Sequence, residues 1–269
     1  MSNLYDMRSG TLVKSKLYNN GLLLKYMMDK DKVIEELFAG DKQGVWYDPS
    51  DITTLFQDVE GTVPVTKDGD PVALMKDKSG NGNHATQSVS TARPVYKTDG
   101  ILHWLEIDGI DDYFNLPAIP MPNPNRISVH AILPTASVTS VVWNAFQKQE
   151  GFPDFDFIIN DVFDPVTRDS SNTYIGNNTG VIVKDKVSVI SSEILGSLFS
   201  ARVGLNDYVT KSFTRNSSVA WGKAALFSVI RYKSYYFKGK YFGGVVLLDT
   251  PTTQNQLALY LAAKAGVTL

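Results

Sequence analysis

The sequence predicts a mostly β protein, folded as an antiparallel β-sandwich. Short segments rich in β-branched and aromatic residues recur from about residue 60 to residue 250, and turn-forming clusters such as 117–124 separate them. Residues 105–114 are an example: apolar and polar residues alternate as in a strand, the alternation stops at Gly109, and a second strand follows. No long helical pattern falls between these segments, and a parallel α/β sheet would need one. The sequence therefore favours two stacked antiparallel sheets.

Helical patterns occur only at the two ends of the chain. Apolar residues recur at roughly helical spacing from Leu17 to Phe38, which predicts an N-terminal helical arm over residues 1–44. This arm either packs on its own domain or fixes the protein to a larger assembly. Near the other end, Thr253 and Gln256 form a capping box before a predicted C-terminal helix. We expect that helix to cover an end or edge of the sandwich. The predicted sandwich domain comprises residues 45–269.

Composition excludes several classes of protein. The 269 residues carry a formal net charge of −2, which gives no basic footprint for nucleic acid. The absence of cysteine removes disulfides, thiolate zinc sites and cysteine nucleophiles. The N-terminus has no signal-peptide pattern, and no apolar stretch approaches the roughly 20 residues that a membrane span needs. We expect a soluble protein.

Two groups of acidic and amide residues are candidates for a structural calcium site. They are Asp77, Asn81 and Asn83 in a glycine-rich turn, and Asp108, Asp111 and Asp112 after the following strand. Carboxylate and amide oxygens are the ligands that Ca²⁺ prefers. The same residue types are also the commonest turn formers, and their spacing is not that of an EF-hand. The cofactor prediction is accordingly none, or a structural Ca²⁺.

Aromatic residues beside amides could form a saccharide-binding platform, because flat rings pack on sugars while amides complete the hydrogen bonds. The candidates are Trp143, Asn144, Tyr174, Trp221, Tyr235 and Tyr236. Residues 235–237 are three consecutive aromatics, which cannot all face one side of a sheet, so at least one is exposed or in an interface. For any other single aromatic, core packing is the alternative.

Six segments of the chain resemble a known family. They are residues 46–58, 77–87, 92–94 and 107–113 near the beginning, and 241–249 and 257–269 at the end. These segments are similar to laminin-G-like, concanavalin A-like lectin domains, which are common in bacteriophage tail and virion structural proteins. The resemblance implies a concanavalin A-like jelly roll and a location in the virion after assembly in the host cytoplasm.

The function that the resemblance implies is non-enzymatic. We expect a virion structural protein on the tail, fibre or capsid surface that adheres to host glycans. Its partners would be other virion proteins, and a homo-oligomer such as a trimer would multiply weak contacts. One alternative is a purely architectural subunit that binds only other virion proteins.

A polysaccharide-degrading enzyme is the other alternative. Its carboxyl groups would come from Asp154, Asp156, Asp161, Asp164 and Asp169. Asp154 and Asp156 alternate with two phenylalanines, so both would project from one strand face, and glycoside hydrolysis needs two carboxyl groups. A glycosidase on this fold is expected to show a Glu-x-Asp-x-x-Glu-like strand, which the chain lacks. The prediction is therefore that the protein is not an enzyme.

Overall fold

The computed structural model confirms a mostly β protein with two antiparallel sheets and few helices. It describes residues 4–6, 11–13, 30–40, 42–117, 119, 126–135, 140–147, 155–159, 165–168, 174–176, 185–196, 198–205, 207, 209–212, 221–227, 236–248 and 254–269.

The strands and helices follow in chain order. They are β1 (Leu4–Asp6), β2 (Thr11–Val13), α1 (Lys30–Leu37), β3 (Gly44–Tyr47), β4 (Leu55–Phe56), β5 (Leu74–Met75), β6 (Ala85–Thr86), β7 (Val95–Thr98), β8 (His103–Asp108), β9 (Phe114–Leu116), β10 (Arg126–Pro134), β11 (Ser140–Gln147), β12 (Phe155–Ile159), β13 (Pro165–Arg168), β14 (Tyr174–Gly176), β15 (Ser188–Leu195), β16 (Leu198–Val203), β17 (Val209–Ser212), β18 (Trp221–Leu226), β19 (Lys238–Leu248) and α2 (Gln254–Lys264). Short 3₁₀ turns occupy Ile52–Thr54 and Ser90–Ala92.

Two large sheets and one hairpin contain the described strands. The first sheet has the order β17-β16-β15-β10-β19-β8-β7, and β3 also pairs with β19. The second sheet has the order β14-β13-β12-β11-β18-β9-β6-β5-β4. Strands β1 and β2 pair as the separate hairpin. Every pairing among these strands is antiparallel, as predicted for a sandwich.

The main core lies between the two sheets. It is formed by the apolar residues that alternate with polar ones along the strands. In β8 of the first sheet, Leu105 and Ile107 are buried in this core, while Trp104 and Glu106 are part-exposed on the opposite side. Phe114 in β9 of the second sheet is buried in the same cluster. Fully burying one such side chain stabilises the fold by about 1.5–3 kcal/mol.

A second apolar cluster holds both helices on the outer face of the first sheet. Ile34 of α1 and Leu257 and Leu261 of α2 are buried there with Trp46 and Phe242. Helix α2 contacts β10, β15 and β19, so it covers a sheet face and not the end or edge that the sequence predicts. Of the helices described, none has the length and apolar character needed to cross a bilayer.

Helix α1 belongs to the predicted N-terminal arm. Its residues Ile34 and Leu37, with Phe38 just beyond, are buried against the sandwich. This packing favours the alternative in which the helix packs on its own domain. Attachment or oligomerisation through residues 1–44 stays a prediction.

A network of charged groups ties both helices to the start of the sandwich. The Asp48 carboxylate is 2% exposed and lies 3.0 Å from Lys264 Nζ and 3.2 Å from Lys78 Nζ. Asp31 of α1 lies 3.3 Å from Lys78 Nζ and accepts a hydrogen bond of 3.0 Å from the Tyr260 hydroxyl. Burial raises the pKa of Asp48, but the ammonium groups of Lys264 and Lys78 outweigh burial and hold that pKa below its usual value.

Candidate functional site

One register row crosses five adjacent strands of the second sheet, and polar residues dominate it. From β12 to β6, the residues directly opposite one another are Asp156, Asn144, Ala225, Asn115 and Thr86. Directly opposed residues in antiparallel strands project from the same side of a sheet. We call these five residues the polar row.

The polar row lies on the outer face of the second sheet. Phe114 and Leu116, on either side of Asn115, are buried in the core between the sheets, as is Leu226 next to Ala225. Because successive side chains alternate between faces, Asn115 and Ala225 belong to the opposite face. The two described helices cover the other sheet.

The polar groups of Asn115 and Thr86 are available to a ligand. Both residues are part-exposed, and within the described part of the chain neither side chain has a hydrogen-bond partner. Ala225, between Asn144 and Asn115, has no exposed surface. The described side chains of the row that have exposed polar groups are therefore those of Asn115 and Thr86, an amide and a hydroxyl.

A pair of tyrosines lies next to the polar row. Tyr113 is two residues before Asn115, and its ring centroid is 6.4 Å from that of Tyr236, with 47° between the ring planes. Both tyrosines are part-exposed. The Gln87 side chain donates a hydrogen bond of 2.8 Å to the Tyr113 carbonyl and so fixes the backbone there. Part-exposed rings offer the apolar surface on which a sugar packs.

Three carboxylates meet in the turn between β8 and β9. Asp108, Asp111 and Asp112 each place one oxygen within 4.8 Å of the others. The Asp112 carboxylate accepts a hydrogen bond of 2.9 Å from the backbone N–H of Asp108. Burial, and after it the charges of Asp108 and Asp111, raise the pKa of Asp112 to about 7. The structure brings these predicted ligands together, and calcium binding by them stays a prediction.

The other predicted calcium ligands form a turn whose polar groups are bonded within the protein. The Asp77 carboxylate accepts hydrogen bonds from the backbone N–H groups of Trp46, at 2.8 Å, and Asn83, at 3.0 Å. The side chains of Asn81 and Asn83 donate to the Gly44 carbonyl, at 3.3 and 2.8 Å. This geometry favours a structural role, because these groups hold β3 against the turn. Calcium binding here is likewise still a prediction.

Three aromatic residues of the predicted platform lie in three different strands of the second sheet. Trp143 pairs with Leu226, a core residue, so its register position is on the inner face. Tyr174 lies in the edge strand β14, and Trp221 lies in β18. Tyr235 lies outside the described residues. Of the predicted binding residues, Asn144 is thus in the polar row, and Tyr236 contacts its tyrosine partner beside the row.

Of the five aspartates that the sequence offers as catalytic carboxyl groups, Asp156 alone lies within the described residues. Asp154, Asp161, Asp164 and Asp169 lie outside the described residues. Asp156 lies in β12 directly opposite Asn144 and so joins the polar row. Sequence reasoning missed Thr86, Asn115 and Tyr113. The signal that could have identified Asn115 is its place between Phe114 and Leu116, a polar residue between two apolar ones.

Solved structures share the fold, although no family model and no curated protein matches the chain. A sialidase from Trypanosoma rangeli aligns over 92% of this chain and 40% of its own, with a TM-score of 0.51 and 11% identity. A GH54 α-L-arabinofuranosidase aligns over 72% of this chain and 51% of its own, also with a TM-score of 0.51 and 11% identity. Domain 4 of a GH43 extracellular arabinanase from Geobacillus stearothermophilus, in complex with arabinotriose, aligns over 81% and 98%, with a TM-score of 0.49 and 13% identity. The chain spans about half or less of the sialidase and the arabinofuranosidase, and at such identity the likeness shows the fold alone.

These findings correct the functional expectation. The sequence predicts a non-enzymatic virion structural protein that adheres to glycans, whereas the solved structures that share the fold with a TM-score of 0.51 are a sialidase and a GH54 α-L-arabinofuranosidase. The predictions of a non-enzymatic role and of no enzyme activity are therefore wrong. These predictions rested on the resemblance of six segments to a lectin-like family and on one missing strand motif. A local motif does not show which carboxyl groups the fold brings together. The predicted virion location and partners are untested and stay predictions.

Proposed function

We propose that this protein is a polysaccharide-processing enzyme that binds its substrate across the polar row. The observation that carries the proposal is the register that aligns Asp156, Asn144, Asn115 and Thr86 in the polar row, beside the two part-exposed tyrosines. A few convergent polar groups next to apolar rings are the usual composition of a saccharide site. The fold shared with glycoside hydrolases supports the same function.

Each group in the site has a role in this proposal. Asn115 and Thr86 form hydrogen bonds with sugar hydroxyls, and the pair formed by Tyr113 and Tyr236 packs against the face of a sugar ring. Asp156 is the carboxyl group that the row supplies to the reaction. Glycoside hydrolysis needs a second one, which we propose among Asp154, Asp161, Asp164 and Asp169.

The finer fold assignment belongs to the same proposal. We propose that the two sheets are connected as a concanavalin A-like jelly roll, as the resemblance over residues 77–87 and 107–113 implies. The antiparallel pairing throughout both sheets supports it. A crystal structure that traces every strand connection tests this assignment directly.

The enzymatic proposal is tested by measuring the release of reducing ends from a panel of plant and bacterial polysaccharides. The purified wild-type protein should cleave at least one of them. Asp156→Asn should lower kcat about 100-fold or more, which is the contribution typical of a positioned acid or base. Asp68→Asn is the matched control, because Asp68 is an exposed aspartate paired with Lys97 at 3.1 Å on the surface.

Two results would contradict the proposal. The first is a wild-type protein that neither binds nor cleaves any polysaccharide in the panel. The second is equal activity of Asp156→Asn and Asp68→Asn on a polysaccharide that the wild type cleaves, since the row would then supply no catalytic carboxyl group.

A further inference from the structure

The exposed polar groups that the structure describes in the polar row are confined to two adjacent strands. Asn115 in β9 lies directly opposite Thr86 in β6, and both are part-exposed. Beyond Asn115 the register continues to Ala225, which has no exposed surface. Beyond Thr86 it continues to Leu74 in β5, which is 4% exposed. The described surface that offers polar groups to a ligand is therefore one strand spacing wide, about 4.8 Å.

The loop after β4 limits this surface on the β5 side. Gly61 of the loop lies over Leu74, because a Cβ atom added to Gly61 would be 3.0 Å from Leu74 Cδ2. The Asp58 carboxylate accepts hydrogen bonds of 2.9 Å from the backbone N–H groups of Thr62 and Val63. These bonds hold the loop in place, so it covers Leu74 and separates the exposed pair from β4.

Two tyrosines complete a compact site around Asn115 and Thr86. Tyr113 is two residues before Asn115, so both side chains project to the same face, and its ring contacts that of Tyr236. An aromatic ring packs on the apolar face of a sugar, while an amide and a hydroxyl bond to its hydroxyl groups. The Cβ atoms of directly opposed residues lie about 4.5–5.5 Å apart, which suits two hydroxyl groups of one ring. The four side chains therefore match a single sugar unit.

The same side chains favour a neutral sugar. None of the four carries a charge, and an amide or hydroxyl can both donate to and accept from a sugar hydroxyl. Asp111 is two residues before Tyr113, so the carboxylate of an acidic sugar would approach a like charge. Arg93 is the basic residue nearest to Thr86 in the sequence, and its guanidinium donates to three backbone carbonyls at 3.0, 3.2 and 3.3 Å.

This compact site lies away from the carboxyl group of the proposed reaction. Three strand spacings separate Asn115 from Asp156, through Ala225 and Asn144, and they amount to roughly 14 Å. A single sugar ring is about as wide as one spacing. A ring held by Asn115 and Thr86 is therefore not the unit whose bond is broken at Asp156.

We infer that Thr86, Asn115, Tyr113 and Tyr236 form an anchoring site for one neutral sugar unit, separate from the position at which Asp156 acts. This inference rests on the proposed function, because the anchored unit belongs to the substrate. Binding at such a site is equal in the ground state and in the transition state. It therefore lowers KM and leaves kcat unchanged.

Binding of free monosaccharides tests the inference directly. The probes are glucose, galactose, arabinose and xylose, titrated by NMR against the full chain, with galacturonic acid as the acidic comparison. At least one neutral sugar should bind, because a compact site needs no longer ligand. Galacturonic acid should bind more weakly than galactose, from which it differs by one carboxylate.

Two substitutions locate the sugar at this site. Thr86→Val and Asn115→Leu keep side-chain shape and remove the polar groups, and each should weaken binding of the monosaccharide roughly fivefold, as expected for loss of one hydrogen bond. Thr210→Val is the matched control, because Thr210 is an exposed threonine on β17 of the first sheet. It should bind like the wild type, and thermal unfolding should show that all three variants are folded.

Kinetics on a polysaccharide that the wild type cleaves separate anchoring from catalysis. Asn115→Leu should raise KM roughly fivefold with kcat unchanged, because it removes one hydrogen bond to a unit that does not react. Asp156→Asn should instead lower kcat, as the proposed function requires.

The contrary outcomes are distinct. If no monosaccharide binds although cleavage depends on Asp156, the inference is overturned and the proposed function stands. If Asn115→Leu lowers kcat as Asp156→Asn does, the site holds the reacting unit and the inferred separation is wrong. Preferred binding of galacturonic acid overturns the neutral class. If a neutral sugar binds and Asn115→Leu weakens it, but no polysaccharide is cleaved, the proposed function fails and the sugar site stands.

Discussion

Replacing Asp48 by asparagine should lower the free energy of unfolding strongly, because Asp48 is buried between two lysines. The carboxylate is 2% exposed and lies within 3.2 Å of the ammonium groups of both Lys78 and Lys264. Removing one partner of a buried ion pair leaves uncompensated charge and costs about 3–5 kcal/mol. Lys78 keeps Asp51 at 3.0 Å, and Lys264 keeps Asp31 at 3.7 Å. These remaining contacts reduce the expected loss for Asp48→Asn to about 2–4 kcal/mol.

Equilibrium unfolding in urea at pH 7 measures this loss. Wild type and variants are compared with one shared value for the slope of the free energy of unfolding against urea concentration. Asp68→Asn removes an exposed pair and should cost less than about 1 kcal/mol. Adding Lys264→Met to Asp48→Asn removes an ammonium group that has lost its nearer carboxylate and should recover part of the stability. If Asp48→Asn behaved like Asp68→Asn, or if the second substitution only added to the loss, the network would not stabilise the attachment of the helices.

Two further predictions concern other buried groups. The pKa of Asp112 in the folded protein, about 7, lies above its ordinary value, so its contribution to stability should fall as pH rises from about 4 to 7 and stay low above that. Urea unfolding across this range should show the decline in the wild type and a smaller one in Asp112→Asn. Gly244→Ala should cost about 3 kcal/mol in the same assay, because the added methyl group would overlap the ring of His130 and lie 2.5 Å from the Tyr241 hydroxyl oxygen. A variant as stable as the wild type would show that the His130 ring moves aside freely.

Local sequence patterns predicted individual elements well. Helix α2 ends just before Gly266, whose φ is +70°, where the sequence predicts the stop, and the predicted capping residue Thr253 lies outside the described residues. The alternation around Leu105 and Ile107 likewise predicts β8 and its buried side. Such signals act over a few residues, so they determine an element without determining its neighbours.

The candidate site depends on pairings between distant parts of the chain. Thr86, Asn115, Asn144 and Asp156 become neighbours only because β6, β9, β18, β11 and β12 pair in one register. A shift of one residue in any pairing would move a strand's polar residues to the opposite face. No local pattern contains that register, which is why Asn144 and Asp156 were predicted as members of separate groups. The position of α2 was missed for the same reason, since an apolar helix face does not specify which surface it covers.

The different outer faces of the two sheets indicate where a ligand binds. The first sheet presents Trp46, Phe242 and Leu247 to the helices, so its outer face is part of the core. An amide or hydroxyl buried there without a partner would cost about 1–3 kcal/mol. Asn115 and Thr86 have such unpartnered groups, and they lie on the face that the helices leave uncovered, where water satisfies them. A saccharide that replaces this water meets groups already held in place by paired strands, so little further ordering of the protein opposes binding.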